Sequence, residues 1–265
     1  MHSRFQLAKK YIQYWLRASN GKGHGIHSPF VYDFIKNVLN DSENYPCYQL
    51  IEGIRKKMLS NSSTIEVEDF GAGSSVIKTK KRIVKDIAAS SLKPKKYAQL
   101  LYRMVKYYKP QSVIELGTSF GISSAYLAMA NTKSVVHTCE GASSIASIAK
   151  KNFEELQIKN IQLIHGDFAN TLPQLLSKVK TIDFAFIDGN HRKLPTLEYF
   201  NQLLTSSSST TVFVFDDIHW SSEMEDAWQH IKQHAATTLT IDLFFIGIVF
   251  INPDFKIPQH FDIRF

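Results

Sequence analysis

The stretch VIELGTSFGI at residues 113–122 decides the fold, because it combines three local signals in ten residues. Its first four residues are mostly apolar, with two β-branched side chains, which is typical of a buried strand. Gly117 and Gly121 follow; glycine lacks a Cβ, so the backbone can turn tightly there and a ligand can approach it closely. The stretch therefore predicts a strand, a turn that holds a ligand, and the start of a helix. The residues expected at this ligand are Glu115, Gly117, Thr118, Ser119 and Gly121.

A dinucleotide is not the predicted ligand. The turn that cradles a pyrophosphate has the spacing G-x-G-x-x-G, whereas the residue two positions after Gly117 is Ser119 here. This difference argues against binding of NAD or FAD at the turn.

Outward from the turn, short apolar strands alternate with helical stretches, which predicts a doubly wound, mostly parallel sheet. The last two predicted strands leave no room for a helix between them, so they predict a hairpin with Gly247 near its turn. The predicted strands are Ser112–Leu116, Ser134–Glu140, Ile161–His165, Ile182–Asp188, Thr211–Asp216, Thr238–Phe244 and Ile248–Asn252.

This organisation, five β/α units closed by a hairpin, resembles the class I methyltransferases, which use S-adenosylmethionine. The resemblance implies an α/β fold with a Rossmann-like sheet of seven strands, mostly parallel with the last strand antiparallel. We expect this domain at residues 96–265, after an N-terminal helical extension at residues 1–95. Helices are predicted in the extension at Phe5–Leu16, from the cap Ser28 with Pro29 at the first position, at Tyr48–Leu59 and at Lys80–Ala89.

Acidic residues follow the predicted strands where a nucleoside would need them. Glu140 ends the second strand roughly 20 residues beyond the turn, where an acid accepts hydrogen bonds from ribose hydroxyls. Asp167, after the third strand, is expected to bind the adenine amine, with Phe168 against the ring. Asp188 ends the fourth strand, at the carboxyl edge where such sheets bind ligands. The predicted S-adenosylmethionine site thus gains Glu140, Gly141, Asp167, Phe168 and Asp188.

The segments FIDGNH at 186–191 and FDDIHW at 215–220 resemble the metal-dependent O-methyltransferases, and are closest to those that modify sugars. The resemblance implies that Asp188, Asp216 and Asp217 bind Mg²⁺ or another divalent cation. It also implies that Asp188 and His191 are catalytic, with His191 as the base. Catechol-type members have Lys at the base position and usually Asn at the third ligand, so the acceptor should differ from theirs.

Structural alternatives exist for these residues. Asp216 and Asp217 could cap the helix that follows, and His191 could bond the backbone of its loop. His219 is expected to face solvent rather than to bind a ligand. The glycine motif EDFGAGSS at 68–75 resembles the cofactor turn but lacks a following strand that ends in an acid. We therefore assign Gly71 and Gly73 to a lid or a connecting loop; further candidates on the substrate side are His24, His27 and Tyr32.

Composition limits the remaining possibilities. The chain has 265 residues and two cysteines, and no apolar run approaches the ~20 residues of a membrane span. We expect a cytoplasmic protein without a signal peptide, a disulfide framework or a membrane partner. The net charge is +7, and Lys78–Lys109 holds eleven Lys or Arg against one acid. Such a stretch is either a solvated helix face or a surface for nucleic acid.

The sequence therefore predicts O-methylation of a small hydroxylated molecule by S-adenosylmethionine, assisted by a divalent cation. One alternative is an RNA methyltransferase that uses the basic stretch Lys78–Lys109. Another is a module that binds the cofactor without catalysis. A homodimer is left open.

Overall fold

A computed structural model describes residues 1–69 and 78–265. The fold class agrees with the prediction: a mixed α/β fold with N-terminal helices and a large, mostly parallel central sheet. The chain divides into two compact units, one formed by Met1–Asp41 with Val179–Phe265 and the other by Ser42–Lys178. The predicted division into a helical extension at residues 1–95 and a cofactor-binding domain at residues 96–265 stays a prediction. None of the described helices has the length and apolarity needed to cross a membrane.

The described helices and strands follow in chain order, with a π-helical turn at Ile35–Leu39 after the second helix. They are α1 (Arg4–Arg17), α2 (Pro29–Phe34), α3 (Pro46–Ser60), β1 (Thr64–Asp69), β2 (Lys78–Ile83), α4 (Val84–Ser91), α5 (Lys95–Tyr108), β3 (Ser112–Leu116), α6 (Ile122–Ala130), β4 (Val135–Glu140), α7 (Ser143–Glu155), β5 (Ile161–His165), α8 (Phe168–Leu176), β6 (Ile182–Ile187), α9 (Lys193–Leu204), β7 (Ser207–Asp216), α10 (Ser222–Gln233), β8 (Leu239–Asp242), β9 (Ile246–Phe250) and β10 (Gln259–Asp262).

In the unit Ser42–Lys178, β3, β4 and β5 are parallel neighbours, so their carboxyl ends lie at one edge. This is the edge at which the sequence places the cofactor residues. Helices α3, α4, α5 and α6 contribute a common apolar core, for example Ile51, Ile87, Ala98 and Tyr126. The predicted strands agree closely with the observed ones because each is a short run rich in apolar and β-branched residues, and β3, β6 and β9 are almost entirely buried.

The predicted helix at Lys80–Ala89 is wrong in its first half. Lys78–Ile83 forms β2, which pairs antiparallel with β1, and the helix begins at Val84. Two features favour the hairpin. Val67 is buried on one face of β1, and Glu66 lies directly opposite Lys81, a pairing of opposite charges that stabilises a ladder. Gly71 and Gly73, assigned from sequence to a lid or loop, lie outside the described residues.

In the unit Met1–Asp41 with Val179–Phe265, the strand order is β10-β8-β9-β7-β6. β6 and β7 are parallel, whereas β9 runs antiparallel to both β7 and β8, as the predicted hairpin requires. The hairpin turns at residues 243–245, and Gly247 lies near this turn as the second residue of β9. A Cβ on Gly247 would come within 2.7 Å of the Trp228 ring, so a close packing contact explains this glycine. β10 is an addition to the predicted strands and pairs parallel with β8.

Candidate cofactor turn and acidic cluster

The turn after β3 has the backbone that its glycines predict. Gly117, Ser119 and Gly121 all have positive φ, at 107°, 48° and 80°. Two features require glycine at position 121. Its φ is positive, and a Cβ there would collide with the ring of Phe153. The first turn of α6 thus starts directly from a tight, left-handed backbone.

Glu115 lies beneath this turn, fully buried inside a network of hydroxyl groups. Its carboxylate accepts hydrogen bonds from Ser124 and, at 2.6 Å, from the Thr138 hydroxyl. Burial raises the pKa of Glu115 to about 7, although the hydroxyl groups oppose the shift. Thr118 is also buried, with its hydroxyl 2.6 Å from that of Thr138. Glu115 and Thr118 are buried where they can support the backbone of the turn. Their direct contact with a cofactor stays a prediction.

Glu140, at the end of β4, joins the turn to the next loop. Its Oε2 accepts from the Ser119 N–H at 2.8 Å, and its Oε1 accepts from the Ala142 N–H at 3.0 Å. Burial raises the pKa of Glu140, and the backbone N–H donors partly offset this. Each carboxylate oxygen has two lone pairs, so both could still accept from a ribose hydroxyl. Gly141 follows directly in the same loop.

Asp167 follows β5 and caps α8, where its Oδ1 accepts from the Ala169 N–H at 3.2 Å. Its side chain is exposed, and the neighbouring Phe168 is half-buried. The capping bond uses one lone pair of the carboxylate, so Asp167 retains acceptor capacity for an adenine amine. Its cofactor contact and that of Phe168 stay predictions.

Sequence reasoning missed Glu68, which links β1 to this part of the chain. Its Oε2 accepts from the Ser143 N–H at 2.8 Å, its Oε1 accepts from the Ser143 hydroxyl at 3.1 Å, and His165 Nε2 lies 3.8 Å from Oε2. The donor N–H at the start of α7 lowers the pKa of Glu68. No local pattern signals this contact, because Glu68 and Ser143 are 75 residues apart.

The other unit contains the predicted acidic cluster. Asp188 follows β6 and Asp216 ends β7, so their parallel pairing brings both carboxylates to one edge. One donor atom from each of Asp188, His191 and Asp216 lies within 4.8 Å of the others. His191 Nε2 is 3.6 Å from Asp188 Oδ1, and Asp216 is buried. Two carboxylates and an imidazole form a donor set that fits a divalent cation.

Asp217 does not belong to this group of three within the described chain. Its φ is +54°, and its N–H donates to the Phe245 carbonyl at 2.7 Å. Its role as a ligand stays a prediction. The helix-cap alternative for Asp216 and Asp217 is wrong, because Ser221 caps α10 and accepts from the Met224 N–H at 3.2 Å.

His219 does not face solvent, contrary to expectation. Its Nε2 lies 2.9 Å from Asp242 Oδ2 and its Nδ1 lies 3.3 Å from Glu225 Oε1. Its ring also stacks on Phe244, with centroids 4.9 Å apart. Burial alone would lower the pKa of His219, but the two carboxylates raise it. Asp242 is 23 residues away, so no local signal could have found this pairing.

The remaining candidates are dispersed. His24 and His27 are exposed, and the ring of Tyr32 packs against Gly23. The basic stretch is divided among β2, α4 and α5, and two of its cations, Lys93 and Arg103, are buried. It is therefore not one solvated helix face. The substrate roles of the histidines and the binding of nucleic acid stay untested.

Comparison with known proteins bears on the fold and on the predicted family. Residues 114–218 match the family model described as a methyltransferase domain. A comparison with curated protein sequences finds no match.

Solved structures share the fold at low identity. The O-methyltransferase from Bacillus cereus, in complex with SAH, is 18% identical with a TM-score of 0.57, over 80% of this chain and 93% of that one. SAH-bound methyltransferase PaMTH1 from Podospora anserina is 13% identical with a TM-score of 0.59, over 85% and 97%. The O-methyltransferase TomG from Streptomyces achromogenes, involved in tomaymycin synthesis and in complex with SAM, is 19% identical with a TM-score of 0.54, over 61% and 82%. The family model matches residues 114–218 and the solved structures share the fold, so both agree with the predicted resemblance to the class I methyltransferases.

Proposed function

We propose that the protein transfers a methyl group from S-adenosylmethionine to a hydroxyl oxygen of a small molecule, with the help of a divalent cation. The observation that carries the cation-assisted form is the convergence of Asp188, His191 and Asp216 within 4.8 Å. Two similar solved structures, O-methyltransferases in complex with SAM or SAH, support the cofactor and the oxygen acceptor. A cytoplasmic location stays a prediction from sequence.

A cation would balance the charge of this cluster. Two carboxylates held this close repel each other, and a cation or a proton relieves the repulsion. A bound divalent cation would lower the pKa of an acceptor hydroxyl and orient it towards the methyl donor. Asp188 and Asp216 would hold it in this proposal, with Asp217 as a third predicted ligand.

His191 has two chemically distinct roles open to it. As the base, it would accept the hydroxyl proton on a ring nitrogen, a reaction that suits an imidazole near neutral pH. As a ligand, it would favour Mn²⁺ over Mg²⁺, because magnesium prefers oxygen ligands whereas imidazole suits transition metals.

On the cofactor side, we propose that Glu140 accepts from the ribose hydroxyls and Asp167 from the adenine amine. S-adenosylmethionine would supply a methyl group on a sulfonium, which the acceptor oxygen attacks in line. The backbone around Gly117 and Gly121 allows close approach of the ligand. Glu115 and Thr118 would hold that backbone in place.

Calorimetric titration tests both parts of the proposal. Wild-type protein should bind S-adenosylhomocysteine, and separately Mg²⁺ or Mn²⁺. Asp188→Ala should abolish cation binding and weaken cofactor binding at most modestly, whereas Asp254→Ala, at an exposed acid of the same unit, should change neither. Preserved cation binding in His191→Ala would make His191 the base, and its loss would make His191 a ligand. Failure to bind any cation would remove the cation-assisted form, and failure to bind S-adenosylhomocysteine would remove the whole proposal.

The two alternatives are separated by simple measurements. RNA methylation would require sequence-selective, strongly salt-dependent RNA binding, and the division of the basic stretch does not favour it. A non-catalytic module would bind S-adenosylhomocysteine but transfer no methyl group to any hydroxylated acceptor, with or without a cation.

A further inference from the structure

The N-terminal helix α1 has two apolar faces, and one of them is docked on its own unit. Tyr14 is buried, and its hydroxyl lies within hydrogen-bonding distance of two backbone carbonyls, that of Ile263 and, at 3.0 Å, that of Asp242. Its ring lies 5.3 Å from that of Phe244. Lys10 adds an ion pair with Glu225 at 2.9 Å. These contacts hold α1 in a defined orientation, so its opposite face is also defined.

That opposite face is apolar and exposed in the described part of the chain. Phe5, Ile12 and Leu16 lie at positions i, i+7 and i+11, on one side of a helix, and are 80%, 60% and 73% exposed. Trp15, beside them, is 42% exposed. By comparison, α3 exposes two large apolar side chains, and each other described helix exposes at most one. A concentrated apolar surface of this kind marks an interaction site.

The charges near this face indicate what kind of partner it binds. α1 carries four cations, Arg4, Lys9, Lys10 and Arg17, and no acid. The guanidinium of Arg264 lies 5.2 Å from the Trp15 ring and adds a further cation. If two copies of the chain met through this face, these cations would approach each other without an acid of α1 between them. An anionic surface would instead attract Arg4, Lys9 and Arg17, while Lys10 stays paired with Glu225.

We propose that α1 binds the surface of a membrane that contains anionic lipids. Phe5, Ile12, Trp15 and Leu16 enter the boundary between headgroups and acyl chains, and the cations contact the headgroups. Helices that lie in this boundary have a basic polar face and aromatic or leucine side chains on the other. The helix lies on the surface and does not span it. This inference replaces the expectation of no membrane partner and does not depend on the proposed enzyme activity.

Sedimentation of the full chain with lipid vesicles tests the inference. Vesicles of phosphatidylcholine with phosphatidylglycerol should bind at least about tenfold more protein than phosphatidylcholine alone, and added salt should weaken this binding. Leu16→Ser and Phe5→Ser should each lower binding about tenfold or more, because each removes an apolar side chain that enters the membrane in the bound state. Leu50→Ser is the matched control, since Leu50 is an exposed leucine on α3.

Circular dichroism should show that these variants remain folded, because the replaced side chains are exposed. Lys9→Glu should reduce binding to the mixed vesicles without affecting the melting temperature. Three results would overturn the inference: no preference for anionic vesicles, equal binding by Leu16→Ser, or a dimer detected by light scattering that Leu16→Ser dissociates. The last result would assign the face to a second copy of the chain.

Discussion

The carboxylates of the cofactor turn and those of the acidic cluster have different kinds of partner. In the cofactor turn, both carboxylates accept hydrogen bonds from their own unit: the buried Glu115 from hydroxyl groups and the half-buried Glu140 from backbone N–H groups. In the acidic cluster, Asp188 and Asp216 converge on each other and on His191. The first arrangement is organised by the chain before any ligand arrives. The second is one that a cation or a proton would stabilise, so the two should respond differently to substitution, pH and chelators.

The largest effect is expected in the acidic cluster. His191→Ala should lower kcat by ~10²–10⁴-fold, as loss of a general base does, with the affinity for S-adenosylhomocysteine nearly unchanged. Steady-state kinetics and calorimetry measure the two quantities. His230→Ala, at an exposed histidine of α10, is the control. A near-native rate would remove His191 from the chemistry.

A pH-dependent stability is expected for the cofactor turn because of Glu115. Its pKa rises from the ordinary 4.5 to about 7 in the folded chain, mainly through burial. The folded state therefore holds the proton more tightly than the unfolded state does. This contribution to the free energy of unfolding is fully present below pH 4.5 and is lost as pH rises to about 7. The loss should amount to about 3 kcal/mol, from 1.36 kcal/mol per pKa unit.

Glu115→Gln is the variant that isolates this effect, since an amide does not titrate. Urea unfolding at pH 4.5–8 should show the wild type losing stability relative to Glu115→Gln as pH rises. Parallel profiles of the two proteins would mean that Glu115 titrates normally.

A smaller effect is expected for the acid that also faces the turn. Glu140→Ala should weaken binding of S-adenosylhomocysteine by ~1–3 kcal/mol, the cost of leaving hydrogen-bonding partners without their charged acceptor. Glu154→Ala, on the exposed side of α7, should leave affinity unchanged. Equal affinities in calorimetry would show that Glu140 only supports the Ser119 backbone.

The smallest effect is expected at Glu68, which is only partly buried. Its carboxylate lies at the N-terminus of α7, where a negative charge contributes about 0.3–0.5 kcal/mol when exposed to solvent. Glu68→Gln should speed amide hydrogen exchange at Ser143 and hardly change global stability. Glu66→Gln, two residues earlier on the same strand, provides the control. Unchanged exchange at Ser143 would contradict the contact.

The strand-end acids show how far sequence reasoning reached. The resemblance to metal-dependent O-methyltransferases implies that Asp188 and Asp216 act together, and the structure brings them close to each other and to His191. Asp217 was expected with them but lies outside the group within the described chain. The backbone turns sharply at Asp217, which has a φ of +54°. Its N–H donates to the carbonyl of Phe245, on the hairpin turn.

The sequence by itself determined the doubly wound sheet, the glycine turn at 117–121 and the acids at the strand ends. These features depend on local periodicity and on connection rules that hold for any parallel sheet. Only the tertiary structure decided that Lys78–Ile83 is a strand, that His219 is held between two carboxylates, and that Glu68 contacts α7. Each of these depends on a partner that only the folded chain brings into contact: β1 for Lys78–Ile83, Asp242 for His219 and Ser143 for Glu68. Local propensity is worth a fraction of a kcal/mol per residue, so a strand ladder or a partly buried ion pair overrides it, and the residue types at these positions do not specify the partner.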